Sequence, residues 1–323
     1  MKQLGFGDNG FTKHPKTTRK QQFLADMDKV VPWSRLCAII TPHYPTIGKG
    51  RPPFPLETML RIHFMQQWFA LSDPAMEEAL HDMPVMREFA KLDASSDAMP
   101  DESTILRFRH LLEKHGLAQQ LFAEISGLLA ERGLMLRQGT IVDATLIAAP
   151  SSTKNADGTR DPEMSQTKKG NQWYFGAKAH IGVDAHSGLV HTVEVTTAKS
   201  ADIKSMDKLL HGEERLVIGD GGYHRNEHMV DAARKETGPR VVTPFKRKAG
   251  QQLTQWQEQV NHALAKLRAI VEHPFRVVKR QFGYTKVRYR GLAKNGAQMV
   301  TLFALSNLYQ ARRHLLPEQG YSV

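Results

Sequence analysis

The spacing of apolar residues changes at Gly139, and this change constrains the fold more than any other feature of the sequence. Before it, apolar residues recur every three or four positions, which is typical of amphipathic helices. After it, short β-branched runs alternate with helical segments, which predicts a mixed sheet with helices packed on it. We therefore expect a mixed α/β chain in two parts, an all-helical N-terminal region over 1–136 and an α/β domain over 137–323.

The N-terminal region is predicted to be helical between residues 20 and 132. Prolines and glycines separate its segments, and these residues are common at helix starts and just past helix ends. We expect one helix over Lys20–Ile40, a second from Pro55, a third that begins near Asp101 or Ser103 and ends before Gly116, and a fourth over Leu117–Glu131.

The α/β domain begins with GTIVDATLIAAP, whose β-branched residues predict a strand around Asp143. A polar stretch over 151–171 shows no pattern, and the alternating sequence after it predicts a β-hairpin that turns at DAHSG. The remaining predictions are a helix in ADIKSMDKLLHG, a strand in RLVIGDGGY, a helix over Asn226–Glu236, a strand in RVVTPF, a small insertion near 240–255, a helix over Leu253–Gln281, a strand in TKVRYRGL and a helix over Ala297–Arg312.

The chain is strongly basic, since 44 Lys and Arg against 33 Asp and Glu give a formal net charge of +11. A surface of this charge favours polyanionic partners, nucleic acid first and an acidic membrane surface second. The single cysteine, Cys37, excludes an internal disulfide and a multi-cysteine zinc site. This cysteine usage is typical of a reducing compartment, so we expect a cytoplasmic protein. We also expect neither a secretory signal nor a bilayer span, because the N-terminus has no apolar core and no apolar run is long enough.

Three acidic residues lie at positions where α/β sheets usually carry their catalytic residues. Asp143 lies in the first predicted strand, Asp220 follows another, and Glu272 lies on the long predicted helix. Residues at strand ends face the crevice where open sheets bind ligands. Converging carboxylates repel each other, and their hard oxygens suit Mg²⁺ or Mn²⁺, a pair of which promotes phosphodiester cleavage. The alternative is that such aspartates only cap turns.

Basic residues surround Glu272. Arg268, Glu272, Arg276 and Lys279 are spaced by 4, 4 and 3, which places them on one stripe of a helix. The adjacent stripe is apolar and is predicted to pack on the sheet: Leu264, Leu267, Val271, Phe275 and Val278. Pro274 predicts a kink or a helix restart near Glu272. The alternative is a solvated face held by Arg–Glu pairs.

The basic character continues beyond that stripe. Seven basic residues and no acidic one lie between Arg276 and Lys294: Arg276, Lys279, Arg280, Lys286, Arg288, Arg290 and Lys294. Surface ion pairs do not account for an uncompensated run of this length, whereas a phosphate backbone that passes the carboxylates does.

A competing motif begins directly after the second aspartate. The string from His224 to His228, with Glu227 inside it, has the His-x-x-Glu-His spacing of inverted zinc metalloproteases. Three fixed positions form a weak pattern in a chain with 15 histidines. A zinc protease is therefore kept as a lesser alternative.

The blocks VDATLI, GDGGY and LRAIVEHPFRVVKRQFGYTKVRYRGL resemble bacterial insertion-sequence transposases of the DDE class, of the insertion-sequence-five type. The related pattern Tyr-x2-Arg-x3-Glu-x6-Lys is met at Arg268, Glu272 and Lys279, while Ala265 stands at the tyrosine position. The likeness runs from the helical N-terminal region to Arg313 and so covers nearly the whole chain.

This resemblance implies an RNase H-like catalytic domain in which Asp143, Asp220 and Glu272 hold two Mg²⁺ ions, for which Mn²⁺ can substitute. It further implies that Arg268 and Lys279 contact the DNA ends, that the N-terminal region binds terminal inverted repeats, and that the protein assembles on DNA as at least a dimer. The expected reaction is strand cleavage at the element end followed by strand transfer into target DNA.

Further DNA contacts are expected from Arg276, Arg280, Lys286 and Arg288 beside the carboxylates, and from a helix of the N-terminal region. Arg107 and Arg109 lie on the capped helix after Asp101, which has the form of a helix that enters a major groove. A solvated helix face is the alternative for these two arginines. A non-catalytic DNA-binding regulator derived from a transposase is the main alternative function.

Overall fold

A computed structural model describes residues 16–46, 48, 52–136, 138–155, 158–223, 239–247 and 250–316. In the described part of the N-terminal region every regular element is helical, as predicted. Its α-helices are α1 (Arg19–Val30), α2 (Trp33–Ile40), α3 (Leu56–Phe69), α4 (Asp73–Asp82), α5 (Pro84–Ala90), α6 (Glu102–Lys114) and α7 (Leu117–Glu131).

Local sequence signals set most of these boundaries. The side chains of Thr18, Ser72 and Asp101 accept hydrogen bonds from backbone N–H groups at the starts of α1, α4 and α6. Gly116 takes a left-handed conformation between α6 and α7. The single helix predicted over Lys20–Ile40 is wrong, because the extended backbone at Val31, next to Pro32, ends α1 before α2 begins.

The α/β part contains one mixed sheet. Its strands are β1 (Gly139–Ala148), β2 (Ser165–Lys169), β3 (Gln172–Asp184), β4 (Val190–Thr197), β5 (Leu216–Ile218) and β6 (Arg240–Val242). The strand order is β2-β3-β1-β5-β6, and β4 also pairs with β3. The β3–β4 hairpin, the strand around Asp143 and the strands in RLVIGDGGY and RVVTPF are confirmed. β1 is antiparallel to β3 and parallel to β5, and β5 is parallel to β6.

Three predicted elements differ from the structure. ADIKSMDKLLHG forms a 3-10 helix over Asp202–Leu209 rather than an α-helix. The stretch over 151–171 is not structureless, because β2 extends the sheet there without any apolar alternation in its sequence SQTKK. TKVRYRGL forms one isolated bridge from Lys286 to Ala148 instead of a strand, and its alternation does not bury one face, since Val287 is its single buried residue.

The last helix, α10 (Leu292–Leu315), joins the two parts of the chain. It matches and extends the helix predicted over Ala297–Arg312. It packs against α1, α3 and α7 on one side and against β4 on the other. One buried apolar cluster therefore runs from Leu24 in α1 through Ile141 in β1 to Leu308 in α10. None of the described helices is both long and apolar enough to cross a membrane.

Candidate active site

Two parallel strands place the two aspartates side by side. Ile141 of β1 pairs with Ile218 of β5, so Asp143 and Asp220 each lie two residues further along neighbouring strands. Asp143 remains inside β1, opposite Ile181 of β3, and its carboxylate accepts a hydrogen bond from the Ala144 N–H at 2.8 Å. Asp220 follows β5 and accepts from the Gly222 N–H at 2.7 Å. Both carboxylates thus lie at the same edge of the sheet.

Glu272 is supplied by an interrupted helix. The helix predicted over Leu253–Gln281 consists of α8 (Gln255–Arg268), a 3-10 turn (Ala269–Val271), α9 (Glu272–Arg276) and a π-helical turn (Val277–Gln281). The helix restart expected near Glu272 is confirmed, since α9 begins there. The apolar stripe is buried at Leu264, Val271, Phe275 and Val278, but Leu267 is exposed.

The charges of Asp220 and Glu272 both act on Asp143. Burial, aided by these two negative charges and opposed by the Ala144 N–H and Arg268, raises the pKa of Asp143 to about 6. The nearest guanidinium nitrogen of Arg268 lies 3.9 Å from the Asp143 carboxylate. Asp143 therefore stands among two like charges with one cation beside it.

The donor chemistry of this site fits hard divalent cations. Three carboxylates supply oxygen ligands of the kind that Mg²⁺ and Mn²⁺ prefer. Burial first, and then the charges of Asp220 and Glu272, make the ionised form of Asp143 costly, and a bound cation would offset that cost. Among the described residues no three acidic, imidazole or thiol groups yet lie close enough to hold one ion. The carboxylates would therefore have to approach each other on binding.

Two family models match the chain. One, described as Transposase DDE domain, matches residues 135–308, which is more than half of the chain. The other, described as Transposase domain (DUF772), matches residues 13–111. The chain belongs to the DDE transposases. No solved structure matches it significantly.

The structure places Lys279 of this transposase between the helix and the sheet. Its ammonium donates to the Thr145 hydroxyl at 2.7 Å and to the Leu146 carbonyl at 2.9 Å, both on β1. Burial, aided by the charge of Lys169, lowers the pKa of this ammonium. Lys279 therefore fixes the turn after α9 to the strand that carries Asp143.

We expect Lys279→Ala to lower the free energy of unfolding by about 1–3 kcal/mol, because two hydrogen bonds from a charged donor are lost and their acceptors on β1 are left unpaired. Arg280→Ala is the matched control: Arg280 is adjacent and exposed, so its loss should stay within about 0.5 kcal/mol. Urea unfolding of both variants measures the difference. Equal midpoints would contradict the assigned role of Lys279.

The other basic residues predicted near Glu272 remain on the surface. Arg276, Arg280, Lys286 and Arg288 are exposed, and Arg288 donates to the Ala70 carbonyl at 2.6 Å. Arg276 and Arg280 line a groove of about 420 Å³ together with His273, Gln281 and Tyr309. Neither of these two guanidiniums forms an ion pair with a described residue. The groove is therefore cationic, and it begins one residue after Glu272.

The two arginines of α6 have different surroundings. Arg107 is exposed and lines a groove of about 310 Å³ with Tyr44, Phe54 and neighbouring prolines. Arg109 is only 7% exposed. It forms ion pairs with Asp73 and Glu113 and lies over the ring of Tyr289. This places Arg109 in the interior rather than on the groove-reading face predicted for it.

Three residues near the carboxylates were not singled out from the sequence. Asp202, in the 3-10 helix, and Lys178, in β3, form an ion pair at 2.8 Å. Tyr223, the last residue of GDGGY, is fully buried among the aspartates. The GDGGY string offered a signal for Tyr223, but the sequence offered none for the pair. The zinc string His224–His228 and the helix predicted over Asn226–Glu236 lie outside the described residues.

Proposed function

We propose that this transposase is of the insertion-sequence-five type, binds the terminal inverted repeats of its element and catalyses metal-dependent strand cleavage and strand transfer. Asp143, Asp220 and Glu272 are its proposed catalytic residues. The observation that carries the proposal is the placement of Asp143 in β1 and of Asp220 just after its parallel neighbour β5, where the charges of Asp220 and Glu272 add to burial in raising the pKa of Asp143.

The sheet supports an RNase H-like catalytic domain. β4, β3 and β1 form an antiparallel meander, and β5 and β6 continue it as parallel strands. This order brings the first strand to the centre of the sheet, with Asp143 on it and Asp220 just after the neighbouring β5. This strand order agrees with the RNase H-like domain that the resemblance implies for the three acids.

Asp143, Asp220 and Glu272 would hold two Mg²⁺ ions, for which Mn²⁺ can substitute. When bound, such ions activate the attacking oxygen and stabilise the leaving one. At the element end water would attack the phosphodiester, so that one P–O bond forms to the water oxygen as another breaks, which leaves a 3′-hydroxyl and a 5′-phosphate. That hydroxyl then attacks target DNA, so one P–O bond forms as another breaks. No nucleotide cofactor is required.

Arg268 is proposed to contact the phosphate at the reacting bond. Its guanidinium lies 3.9 Å from Asp143, and its Nε is buried and has no hydrogen-bond partner among the described residues. A phosphate oxygen is the acceptor that such a group lacks. Lys279, which the resemblance assigns to the DNA ends, has one N–H left after its two bonds to β1.

The groove beside Glu272 is proposed to hold the DNA backbone further from the reacting bond. Arg276 and Arg280 line it, and Lys286 and Arg288 continue the positive charge on the surface. Contacts of this kind with phosphates do not depend on the base sequence, and their formation releases the cations that are condensed on the DNA. The proposed path therefore follows the basic run from α9 toward α10.

We expect the double variant Arg276→Ala/Arg280→Ala to bind element-end and scrambled duplexes more weakly by similar factors. The slope of log K against log salt should fall in magnitude by about two units, one for each lost phosphate contact. Arg132→Ala, an exposed change at the end of α7, is the control. Fluorescence anisotropy at several salt concentrations measures both slopes, and an unchanged slope in the double variant would exclude this path.

The N-terminal region is proposed to recognise the terminal repeats, with Arg107 as its exposed basic contact. Because α10 packs on α1, α3 and α7, this proposal is best tested in the full chain. Joining two ends requires both to be held together, so we propose that the protein works on DNA as at least a dimer. A non-catalytic regulator is the alternative, and it would bind the repeats without cutting them.

One assay separates these functions. The full chain is incubated with labelled duplexes taken from the DNA that borders its coding sequence, with Mg²⁺ or with EDTA. A transposase produces nicks at the element end and joined products with Mg²⁺ only. Sequence-specific binding without any nick in Mg²⁺ or Mn²⁺ would instead identify the regulator.

A further inference from the structure

An ion pair next to the proposed active site joins two elements that carry none of its three acids. The Lys178 ammonium on β3 donates to the Asp202 carboxylate at 2.8 Å and to the Ser200 carbonyl at 2.7 Å. The pair is largely enclosed, since the two side chains are 14% and 27% exposed. Lys178 therefore fixes Asp202 from the sheet through Oδ1, while Oδ2 is the carboxylate oxygen nearest Gly222.

The carboxylate of Asp202 faces the same point as that of Asp220. A methyl group placed on Gly222 would lie 2.9 Å from Asp220 Oδ1 and 3.3 Å from Asp202 Oδ2. Gly222 also donates its N–H to the Asp220 carboxylate. The missing side chain at Gly222 thus leaves a gap that both carboxylates border.

Two buried polar groups around this gap lack hydrogen-bond partners among the described residues. The Tyr223 hydroxyl is one, and the Nδ1 atom of His180, which lies 3.8 Å from Asp202, is the other. Burial, then the charges of Asp202, Asp143 and Asp220, raise the pKa of Tyr223. Since buried polar groups are normally paired, the polar surroundings of Asp202 are incompletely satisfied within the described part of the chain.

We propose that Asp202, held by Lys178, is a positioning residue for Asp220. Its carboxylate borders the Gly222 gap and disfavours orientations in which the Asp220 carboxylate turns toward it, because like charges repel. Asp220 is thereby directed toward Asp143. Asp202 itself is not a cation ligand in this proposal, since Lys178 already occupies it. The inference rests on the proposed function, in which Asp220 holds a divalent cation.

The test is the affinity of the full chain for Mn²⁺ alone, measured by electron paramagnetic resonance without DNA. Asp202→Asn and Lys178→Met should each weaken Mn²⁺ binding by about 10–100-fold, the usual effect of removing a group that orients a ligand. Lys178→Arg should retain wild-type affinity. Lys208→Gln is the control, because it removes the Lys208–Glu194 pair on the same 3-10 helix and should change nothing.

Asp202→Asn and Lys178→Met together distinguish a positioning role of Asp202 from an effect of its negative charge alone. If Asp202 acted only through its negative charge, Lys178→Met would unmask that charge and strengthen Mn²⁺ binding while Asp202→Asn weakened it. Opposite directions would therefore overturn the proposal, and so would unchanged affinity in both. Wild-type DNA binding is expected in each variant, whereas Lys178→Met should lower the melting temperature because it leaves the enclosed Asp202 carboxylate without its cation.

Gly222→Ala provides an independent test. The added methyl group would enter the gap between the two carboxylates, so Mn²⁺ affinity should fall although neither charge is removed. Gly127→Ala is the control, since nothing lies within 4 Å of a methyl group there. Unchanged Mn²⁺ affinity in Gly222→Ala would count against the proposal.

Asp220→Asn distinguishes failure of this inference from failure of the proposed function. If Asp220→Asn binds Mn²⁺ as tightly as the wild-type protein, Asp220 is not a ligand and the proposed function falls. If Asp220→Asn loses Mn²⁺ but Asp202→Asn and Lys178→Met keep it, only the positioning role of Asp202 is overturned.

Discussion

Asp143→Asn, Asp220→Asn and Glu272→Gln are each expected to abolish cleavage of element-end DNA while leaving its binding nearly intact. Each change removes one negative oxygen ligand and keeps the size of the side chain. Loss of a single group that stabilises charge in a transition state costs about 10²–10³ in rate, so residual cleavage should fall below the limit of a gel assay.

Glu258→Gln is the matched control for this series, since Glu258 is an exposed acid in the first turn of α8. It should cleave like the wild-type protein. Quantified nicking with Mg²⁺, alongside anisotropy on the same duplexes, gives both readouts. If Glu272→Gln retains more than a few per cent of wild-type cleavage, Glu272 is not the third ligand, and Glu227 and Glu236 become the candidates.

The raised pKa of Asp143 predicts the second large effect, on stability. The folded protein holds a proton on Asp143 up to about pH 6, whereas the unfolded chain releases it near the ordinary value of 3.8. Between these values the folded state binds more protons, so the free energy of unfolding falls as pH rises through this window. The shift corresponds to about 3 kcal/mol, which is fully lost above pH 6.

Asp143→Asn cannot titrate at this position, so it should be more stable than the wild-type protein at pH 7 and about equally stable at pH 4. Urea unfolding at a series of pH values, with EDTA present throughout, measures the difference between the two proteins. All other titratable groups are present in both proteins. The difference between their free energies of unfolding therefore reports on Asp143. A difference that does not change between pH 4 and pH 7 would contradict the electrostatic description of the site.

Elements with strong local signals could be predicted from the sequence. α7 has the predicted bounds because Gly116 precedes it and its apolar residues repeat regularly. β1 could be predicted from its β-branched residues, and that strand placed Asp143. Pro274 correctly indicated an interruption near Glu272. In each case the deciding information lies within a few residues of the element itself.

Roles that depend on distant partners could not be predicted. Lys279 is a helix residue in the sequence, but its acceptors lie on β1, more than 130 positions away. In the sequence Arg109 resembles a surface arginine, but in the fold Asp73 and Tyr289 enclose it. The pairing of Asp202 with Lys178 follows from the packing of the 3-10 helix on β3. Charge patterns show which residues are ionic, but not what faces them.

The central claim is that three carboxylates from separate elements jointly hold the ions that drive DNA cleavage. Counting Mn²⁺ bound to the full chain on uncleaved element-end DNA, by electron paramagnetic resonance, tests it most directly. We expect two ions per protomer in the wild-type complex and fewer in Asp143→Asn, Asp220→Asn and Glu272→Gln alike. A Glu272→Gln complex that retains both ions at wild-type affinity would contradict it.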